Sequence, residues 1–237
     1  MELTNKTALV TGSTDGVGRA VAERLAAAGA RVLVHGRDEA RGKATVATIM
    51  AAGGNAELLI ADLASLGEVL RLADTVRDRT DRLDLLINNA GVGTGGQGAK
   101  RQMSADGYEL RFAVNYLAGF VLTSRLLDLL KASAPSRIVN VASAGQQAID
   151  FDDVMLSRGY SGVRAYCQSK LAQILFTVDL AETLEGSGVT VNALHPASYM
   201  DTSMVRQAGI APWNTVETGA DAILNLATSP ALEGRSG

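Results

Sequence analysis

Tyr166 and Lys170 are the residues of this 237-residue chain whose types and spacing most directly suggest chemistry. Residues four positions apart share one face of a helix, so the ammonium group can lie beside the phenol. A free phenol titrates near pH ~10, so acid–base work at neutral pH requires a shift of roughly 3 units, about 4 kcal/mol. One positive charge at ~4 Å supplies about 4 kcal/mol at an effective dielectric of about 20. The pair can therefore act as an acid–base couple, although an isolated Tyr-x-x-x-Lys also occurs on ordinary helices.

A glycine-rich turn near the start of the chain predicts a binding site for a pyrophosphate. An apolar run, residues 7–10, leads into Thr11-Gly12-Ser13-Thr14-Asp15-Gly16-Val17-Gly18, and residues 19–28 have the pattern of an amphipathic helix. Glycines let the backbone turn tightly and approach a ligand, while the free N–H groups of a helix start face anions. Glycine turns also occur for purely conformational reasons, but the flanking strand and helix favour a dinucleotide-binding unit.

The end of the second predicted strand, residues 31–35, bears on the choice of dinucleotide. A carboxylate at this place accepts from the adenosine 2′-hydroxyl group of NAD, whereas an arginine pairs with the 2′-phosphate of NADP. Gly36 stands where the carboxylate would serve, and Arg37 follows it. This pattern favours NADP. Asp38 leaves two alternatives open, because it could accept from the ribose or cap the next helix.

Strands and helices continue to alternate, and each strand ends in small or polar residues. Parallel strands bring these residues to one edge of the sheet, where ligands bind in open α/β folds. Asp62 could accept from an adenine amino group there or cap the following helix. Asn115 needs partners if it is buried in the apolar helix predicted over 105–131, and Ser143 follows the fifth strand. The further predicted strands are residues 56–60, 83–87, 137–141 and 189–193.

Composition predicts one α/β domain over residues 1–237 and excludes several classes of function. The net charge is −3 without a basic tract, which argues against a nucleic-acid partner. A single cysteine and two unclustered histidines predict neither a disulfide nor a metal site. No apolar run approaches the ~18 residues of a membrane span, and no leader pattern precedes the first strand, so we expect a cytoplasmic protein without a membrane span.

Taken together, these motifs resemble the short-chain dehydrogenase/reductase family over essentially the whole chain. The resemblance implies a Rossmann-type, doubly wound parallel sheet with helices on both faces, and homodimers or homotetramers formed through helices near 105–131 and 163–184. The motifs that carry it are Thr11-Gly12-x-x-x-Gly16-x-Gly18, Asp62-Leu63, Asn88-Asn89-Ala90-Gly91, Asn115, Ser143, Tyr166-x-x-x-Lys170 and His195-Pro196.

The resemblance also implies roles for individual residues. Tyr166 would exchange a proton with the substrate oxygen, Ser143 would hydrogen-bond that oxygen, and Lys170 would lower the phenol pKa and hold the nicotinamide ribose. Asn115 would position a water behind Lys170, completing the catalytic set. The residues expected to bind the dinucleotide are Gly12, Ser13, Thr14, Gly16, Val17, Gly18, Arg37, Asp62, Leu63, Asn89, Ala90, Gly91, Tyr166, Lys170 and Pro196.

Three features depart from the usual family pattern. Ala197 replaces the glycine that usually follows Pro196, and the segment between Ser143 and Tyr166 is about ten residues longer than is common. The longer segment resembles the branch of retinol dehydrogenases and related carbonyl reductases. A seventh strand is missing from the sequence after the last predicted helix. We therefore predict six strands in the order 3-2-1-4-5-6, with the sixth as a short or covered edge.

We expect an NADP(H)-dependent oxidoreductase that interconverts a carbonyl and an alcohol. Residues 197–214 include several large apolar side chains and predict a lid that favours a medium-sized apolar substrate. The alternatives left open are an NAD-dependent alcohol dehydrogenase, a lyase or epimerase that recycles its bound cofactor, and a non-enzymatic dinucleotide sensor of the same fold.

Overall fold

Six parallel strands form one sheet in a computed structural model that describes residues 2–237. Their order is β3-β2-β1-β4-β5-β6, as predicted. The order reverses between β1 and β4, which pair directly, and this reversal opens the crevice where α/β sheets bind ligands. The strands are Thr7–Val10 (β1), Arg31–Gly36 (β2), Asn55–Ile60 (β3), Leu85–Asn88 (β4), Ser136–Val141 (β5) and Val189–Leu194 (β6).

Helices cover both faces of the sheet, because its strands carry apolar side chains on both sides. One face buries Leu72, Leu126 and Leu180 against the strands, and the other buries Leu25 and Ile223. The helices are Gly16–Ala27 (α1), Glu39–Ala51 (α2), Leu66–Arg79 (α3), Leu110–Ala132 (α4), Gly162–Thr183 (α5), Ser203–Gln207 (α6) and Val216–Thr228 (α7).

Helix α4 starts five residues later than the sequence predicts. Ser104 does not cap a helix, because its Oγ accepts from the backbone N–H groups of Asp106 and Tyr108 and closes a turn. The helix begins at Leu110 instead, where the Glu109 carboxylate accepts from the Phe112 N–H at 2.8 Å. By length and composition α4 could cross a membrane, which is weak evidence for a span. In this fold it packs on the sheet with Leu122, Leu126 and Leu130 fully buried.

A row of hydrogen-bonded polar side chains crosses the core beneath α5, the helix that carries Tyr166 and Lys170. Asn88 Nδ2 on β4 donates to Thr123 Oγ1 of α4 at 3.0 Å and to Asn140 Oδ1 of β5 at 2.9 Å. Asn140 Nδ2 in turn donates to Thr177 Oγ1 of α5 at 2.8 Å. Buried polar groups require such partners. The row therefore fixes α4 and α5 relative to the two central strands.

The outer edge of β6 is covered, as predicted. Val191 N–H donates to Ser236 Oγ, and Gly237 N–H donates to the Val191 carbonyl, both at 2.9 Å. Asn192 Nδ2 adds a bond to the Arg235 carbonyl. Residues 235–237 therefore occupy hydrogen-bonding positions that an open strand edge would leave exposed.

Candidate active site

The sequence-predicted residues lie along the carboxyl edge of the sheet and in the two helices beside it. The glycine turn joins β1 to α1, Arg37 follows β2, Asp62 and Leu63 follow β3, and Asn89 to Gly91 follow β4. Ser143 and Pro196 follow β5 and β6, while Asn115 lies in α4 and the Tyr166–Lys170 pair in α5. The topology thus brings all the candidates to one edge, with Leu63 buried in the core beneath it.

Close backbone packing explains the glycines of the turn. A Cβ atom on Gly12, whose φ is +65°, would lie 2.9 Å from Ala90 Cα, and one on Gly18 would lie 2.4 Å from the Gly12 carbonyl oxygen. Neither position has room for a side chain. Asn89 Nδ2 donates to the Thr11 carbonyl at 2.8 Å and the Gly12 carbonyl at 3.2 Å, which ties the turn to β4. The cradle and the start of α1 fit a dinucleotide pyrophosphate.

The side chain of Ser13 makes its hydrogen bonds within the protein and is not free to bind a ligand. Its Oγ donates to the Val10 carbonyl at 2.7 Å and accepts from His35 N–H at 3.0 Å. Its backbone N–H is also engaged, because it donates to the His35 carbonyl at 2.9 Å, so Ser13 shapes the cradle without offering a donor to a ligand. Thr11 acts in the same way, because its Oγ1 accepts from the N–H groups of Asn89 and Ala90.

His35 supports the glycine turn and was missed by sequence reasoning. Its Nδ1 accepts from Gly12 N–H at 3.2 Å, and its Nε2 lies 3.2 Å from the Ala61 carbonyl, which assigns the proton to Nε2. Burial lowers the pKa of His35 to about 4, so the ring is neutral at pH 7 and keeps its acceptor. A histidine inside an otherwise apolar strand, next to the adenosine end, was the available signal.

The adenosine end of the cradle excludes a carboxylate at position 36. A Cβ on Gly36 would lie 2.5 Å from Thr14 Cγ2, so the threonine occupies that space. Asp38 caps α2, because its Oδ1 accepts from Arg41 N–H at 3.0 Å, which is the second of the two roles that the sequence left open. Arg37 is exposed beside it. Asp62 Oδ1 accepts from Ala64 N–H at 3.0 Å and so closes the turn that follows β3.

Tyr166 and Ser143 form the centre of the site. Both side chains lie beside Gly145, where a Cβ atom would be 3.5 Å from Ser143 Oγ and 3.8 Å from Tyr166 Cε1, and Ser143 Oγ accepts from Gly145 N–H at 3.0 Å. Burial raises the pKa of Tyr166, and the neighbouring Ser143 hydroxyl group opposes that rise. The phenol therefore carries its proton at neutral pH, the form that can donate to a developing alkoxide.

Lys170 lies beneath the tyrosine but is directed elsewhere. Its Nζ is 5.9 Å from the centroid of the Tyr166 ring and donates to the Val141 carbonyl at 2.7 Å and to Gln173 Oε1 at 3.2 Å. Burial lowers the pKa of Lys170 to about 8. That this charge lowers the phenol pKa stays a prediction. In the structure, burial is the largest influence on the pKa of Tyr166 and raises it.

Asn115 lies in a π-helical turn of α4, residues Ala113–Leu117, a feature frequent at functional sites. Its Oδ1 accepts from Val92 N–H at 2.7 Å, and its Nδ2 donates to the Val92 carbonyl at 3.1 Å and to Ser169 Oγ at 2.9 Å. The amide side chain thus joins the loop after β4 to the catalytic helix. Both donors of its amide group are engaged, and its oxygen accepts one hydrogen bond.

A small cavity of about 10 Å³ adjoins these residues and is lined in part by Asn88, Asn115 and Gln173. This volume matches about one water molecule. Asn88 Oδ1 is buried and has no hydrogen-bond partner within residues 2–237. Because Gln173 also accepts from Lys170, the cavity lies one side chain away from the ammonium group.

The segment predicted as a lid, residues 197–214, packs against the glycine turn and the loop after β4. Tyr199 and Trp213 stack edge to face with centroids 4.6 Å apart, and the backbone bridge between Met200 and Asn214 closes the base of the segment. Met204 packs on Gly93, where a Cβ would lie 2.7 Å from Met204 Cγ. The short helix α6 begins inside this segment.

Asp15 joins the lid to the glycine turn. Its Oδ1 accepts from Gly16 N–H at 2.8 Å and caps α1, while its Oδ2 accepts from Ser203 Oγ at 2.6 Å. These bonds, the Ser203 contact first, lower the pKa of Asp15. Ser203 was also missed by sequence reasoning, because nothing in a single sequence relates it to a residue 188 positions away.

Comparison with known proteins identifies the family. The family model described as "short chain dehydrogenase" matches residues 6–212. The chain belongs to the short-chain dehydrogenase family. Human retinol dehydrogenase 13 is 44% identical to it over an alignment of 212 residues that covers 86% of this chain and 62% of that protein. Mouse retinol dehydrogenase 11 is 38% identical over 250 residues, covering 100% of this chain and 78% of that protein.

Solved structures of the same family share the fold. A Pseudomonas aeruginosa RhlG/NADP active-site complex has a TM-score of 0.81 and 30% identity, covering 99% of this chain and 93% of that one. A short-chain dehydrogenase from Burkholderia cenocepacia J2315 in complex with NADP has a TM-score of 0.81 and 30% identity, covering 100% and 95%. These comparisons agree with the family and the branch that the motifs indicated.

Proposed function

We propose that this protein is an NADP(H)-dependent oxidoreductase that interconverts a carbonyl and an alcohol of a medium-sized apolar substrate. One observation carries the proposal: Tyr166, beside Ser143 and protonated at neutral pH, lies at the same carboxyl edge of the sheet as a glycine cradle that fits a dinucleotide. The named relatives, retinol dehydrogenases 11 and 13, support the same class of reaction.

The side chains divide the proton chemistry among them. The bound dinucleotide would supply the hydride to the substrate carbonyl carbon. Tyr166 donates its proton to the substrate oxygen as negative charge develops there, and Ser143 hydrogen-bonds the same oxygen. Lys170 stabilises the phenolate that remains, because a cation close to an anion is worth far more in a buried site than in water. Gly145 N–H holds Ser143 Oγ in place.

Return of the proton to Tyr166 requires a route to solvent. The cavity beside Asn115 and Gln173 has room for about one water, and Gln173 links it to Lys170. The unpaired Asn88 Oδ1 gives such a water one acceptor. We infer that a water held in this cavity takes part in the proton path behind Lys170.

The preference for NADP rests on the adenosine end of the cradle. Thr14 fills the space that a carboxylate at position 36 would need, and the Asp38 carboxylate is engaged as a helix cap. Arg37 is left as an exposed cation that can reach a 2′-phosphate. The NADP complexes of the family members from Pseudomonas and Burkholderia support the same choice.

The preference for an apolar substrate rests on the lid. Tyr199, Met204 and Trp213 place apolar surface at the mouth of the site, and Phe151 of the longer middle loop is 82% exposed. Apolar surface of this kind recognises an apolar ligand rather than a sugar or a small hydroxy acid. The lid would close over the substrate once it is bound.

The outer faces of α4 and α5 support assembly into a homodimer. Phe120 and Leu175 are 40% and 49% exposed, and the Phe120 ring packs edge to face on Phe176 with centroids 5.2 Å apart. This aromatic patch joins the two helices into one apolar surface. A second copy would bury it.

Replacing Tyr166 with Phe tests the catalytic proposal. The variant should bind NADPH with unchanged affinity and lose nearly all turnover of an apolar ketone, because the proton donor is removed while the cradle stays intact. NADPH consumption at 340 nm and fluorescence titration measure the two quantities. Tyr108→Phe is the matched control, since Tyr108 is exposed and outside the site. Turnover that survives in Tyr166→Phe would remove the tyrosine from the mechanism.

A further inference from the structure

A buried cluster of Arg111, Glu109 and Tyr160 lies beside the candidate site, and the proposed chemistry does not use it. The Arg111 and Glu109 side chains are only 2% and 1% exposed. Charges are rarely buried so completely unless their hydrogen bonds are satisfied. Arg111 Nη1 donates to Tyr160 Oη at 2.6 Å, Tyr160 Oη donates to Glu109 Oε1 at 2.9 Å, and that oxygen is 3.4 Å from Nη1.

The remaining donors of Arg111 hold the loop that follows β4. Its Nε donates to the Gly93 carbonyl at 2.8 Å, and its Nη2 donates to the Thr94 carbonyl at 2.9 Å. This stretch is rich in glycine, and a glycine backbone has little conformational preference of its own. The planar guanidinium group therefore fixes two successive carbonyl groups that their own sequence would leave free.

The same loop rests on the first residue of the catalytic helix. A Cβ on Gly162 would lie 2.1 Å from the Thr94 carbonyl oxygen, so only glycine allows this contact. Gly162 begins α5 one helical turn before Tyr166, and Tyr160 lies two residues earlier. Arg111 also precedes Asn115 by one turn of α4. Two helices that carry candidate catalytic groups and the loop that follows the predicted dinucleotide-binding residues 89–91 thus meet at one side chain.

Tyr160 completes this arrangement as a donor that does not titrate near neutral pH. Burial, followed by the charge and the hydrogen bond of Glu109, raises the pKa of Tyr160 to about 12. Its hydroxyl group therefore accepts from Arg111 and donates to Glu109 at the same time. Glu109 accepts from Phe112 N–H with its other oxygen, so the cluster also caps α4.

We propose that Arg111 is a positioning residue for the reaction. Through Tyr160 and Glu109 it holds the loop after β4 and the starts of α4 and α5 in one register. In this register the oxygen of a bound substrate carbonyl would lie within hydrogen-bonding distance of Tyr166 and Ser143. This inference rests on the proposed function. A displacement of about 1 Å at a reacting centre can cost about a hundredfold in rate, so a loosened register should be visible in turnover.

Arg111→Lys and Tyr160→Phe test the proposal, with Arg125→Lys as the matched control on the exposed side of the same helix. Lysine keeps the charge but loses the fork that binds Gly93 and Thr94. We expect kcat for an apolar ketone to fall about ten- to a hundredfold with unchanged NADPH affinity. The isotope effect with NADPH deuterated at the transferred position should rise, because hydride transfer becomes slower relative to the other steps. The control should match the wild type.

A second measurement does not depend on turnover. Amide hydrogen exchange over residues 92–99 should become faster in both variants, while exchange in β1 and β4 stays slow. Exchange in this loop at the wild-type rate in both variants would overturn the proposal. So would an unchanged isotope effect together with a lower yield of folded protein, because that result indicates a merely structural role. If the wild type reduces no carbonyl compound, the proposed function fails, and the exchange measurement still decides whether Arg111 orders the loop.

Discussion

Acid should destabilise this protein through His35 at a pH where its carboxylates are still ionised. The pKa of His35 is lowered from 6.5 to about 4 because the ring is buried. The unfolded chain therefore binds a proton more readily than the folded chain between these values, and stability falls as the pH falls. The contribution is fully present above about pH 6.5 and is lost as the pH drops through about 4.

The size of this effect follows from the shift in pKa. A difference of about 2.5 units is worth about 3 kcal/mol of unfolding free energy, of which about 2 kcal/mol is already lost between pH 7 and pH 5. Protonation would also place a second N–H donor against Gly12 N–H, so the folded chain cannot accept the proton without breaking the bond that supports the glycine turn.

Urea unfolding followed by circular dichroism from pH 7.5 to pH 4 measures this contribution. His35→Asn keeps a side-chain oxygen that can accept from Gly12 but removes the titrating ring. Between pH 7.5 and pH 4 the unfolding free energy of this variant should fall by about 3 kcal/mol less than that of the wild type, although the variant is less stable at pH 7. The pKa of His195 is also lowered by burial, but this histidine is largely exposed, so His195→Asn should stay much closer to the wild-type curve than His35→Asn does. Parallel curves for His35→Asn and the wild type would refute the reasoning.

Three further outcomes are expected. Arg37→Ala should weaken the binding of NADPH relative to NADH by about 1 to 3 kcal/mol, because a charge-assisted phosphate contact is lost. Lys43→Ala, on the exposed side of α2, should leave the ratio of the two affinities unchanged. Titration of both cofactors measures these ratios, and equal ratios in the two variants would contradict the prediction. Met204→Ala and Trp213→Ala should raise KM for bulky apolar ketones more than for small ones, and equal rises would show that the lid does not select the substrate. Phe120→Glu should convert a dimer to a monomer in light scattering, and a wild-type monomer at micromolar concentration would count against this interface.

The sequence predicts the frame of this protein because the frame depends on local patterns. Alternating apolar strands and amphipathic helices predict a parallel sheet, and the resemblance to a family supplied the strand order. The glycines at 12 and 18 were identified by spacing, and the structure gives the reason, since neither position has room for a Cβ atom. The predicted start of α4 at residue 105 was wrong. A serine can cap a helix or close a turn, and Ser104 closes a turn by accepting from Asp106 and Tyr108 N–H.

What the sequence does not predict depends on contacts between distant segments. His35 reads as one more strand residue until the fold places Gly12 against its Nδ1. Arg111 and Tyr160 are 49 positions apart and show no motif, yet they meet at 2.6 Å. The influence of burial on the pKa of Tyr166 is of the same kind, because the sequence alone does not show how deeply the fold encloses the phenol.

The row of polar side chains from Thr123 through Asn88 and Asn140 to Thr177 bears on the fidelity of folding. Apolar surfaces tolerate sliding, because side chains of roughly the right size repack at modest cost. Directional bonds do not tolerate it, since moving α5 by one residue would turn Thr177 away by about 100° and leave Asn140 Nδ2 without its acceptor in the core. Thr177 lies two helical turns after Lys170, on the same face. These hydrogen bonds therefore fix the axial position of α5. Any other position of the helix would cost free energy, and only the observed one places Lys170 at the site.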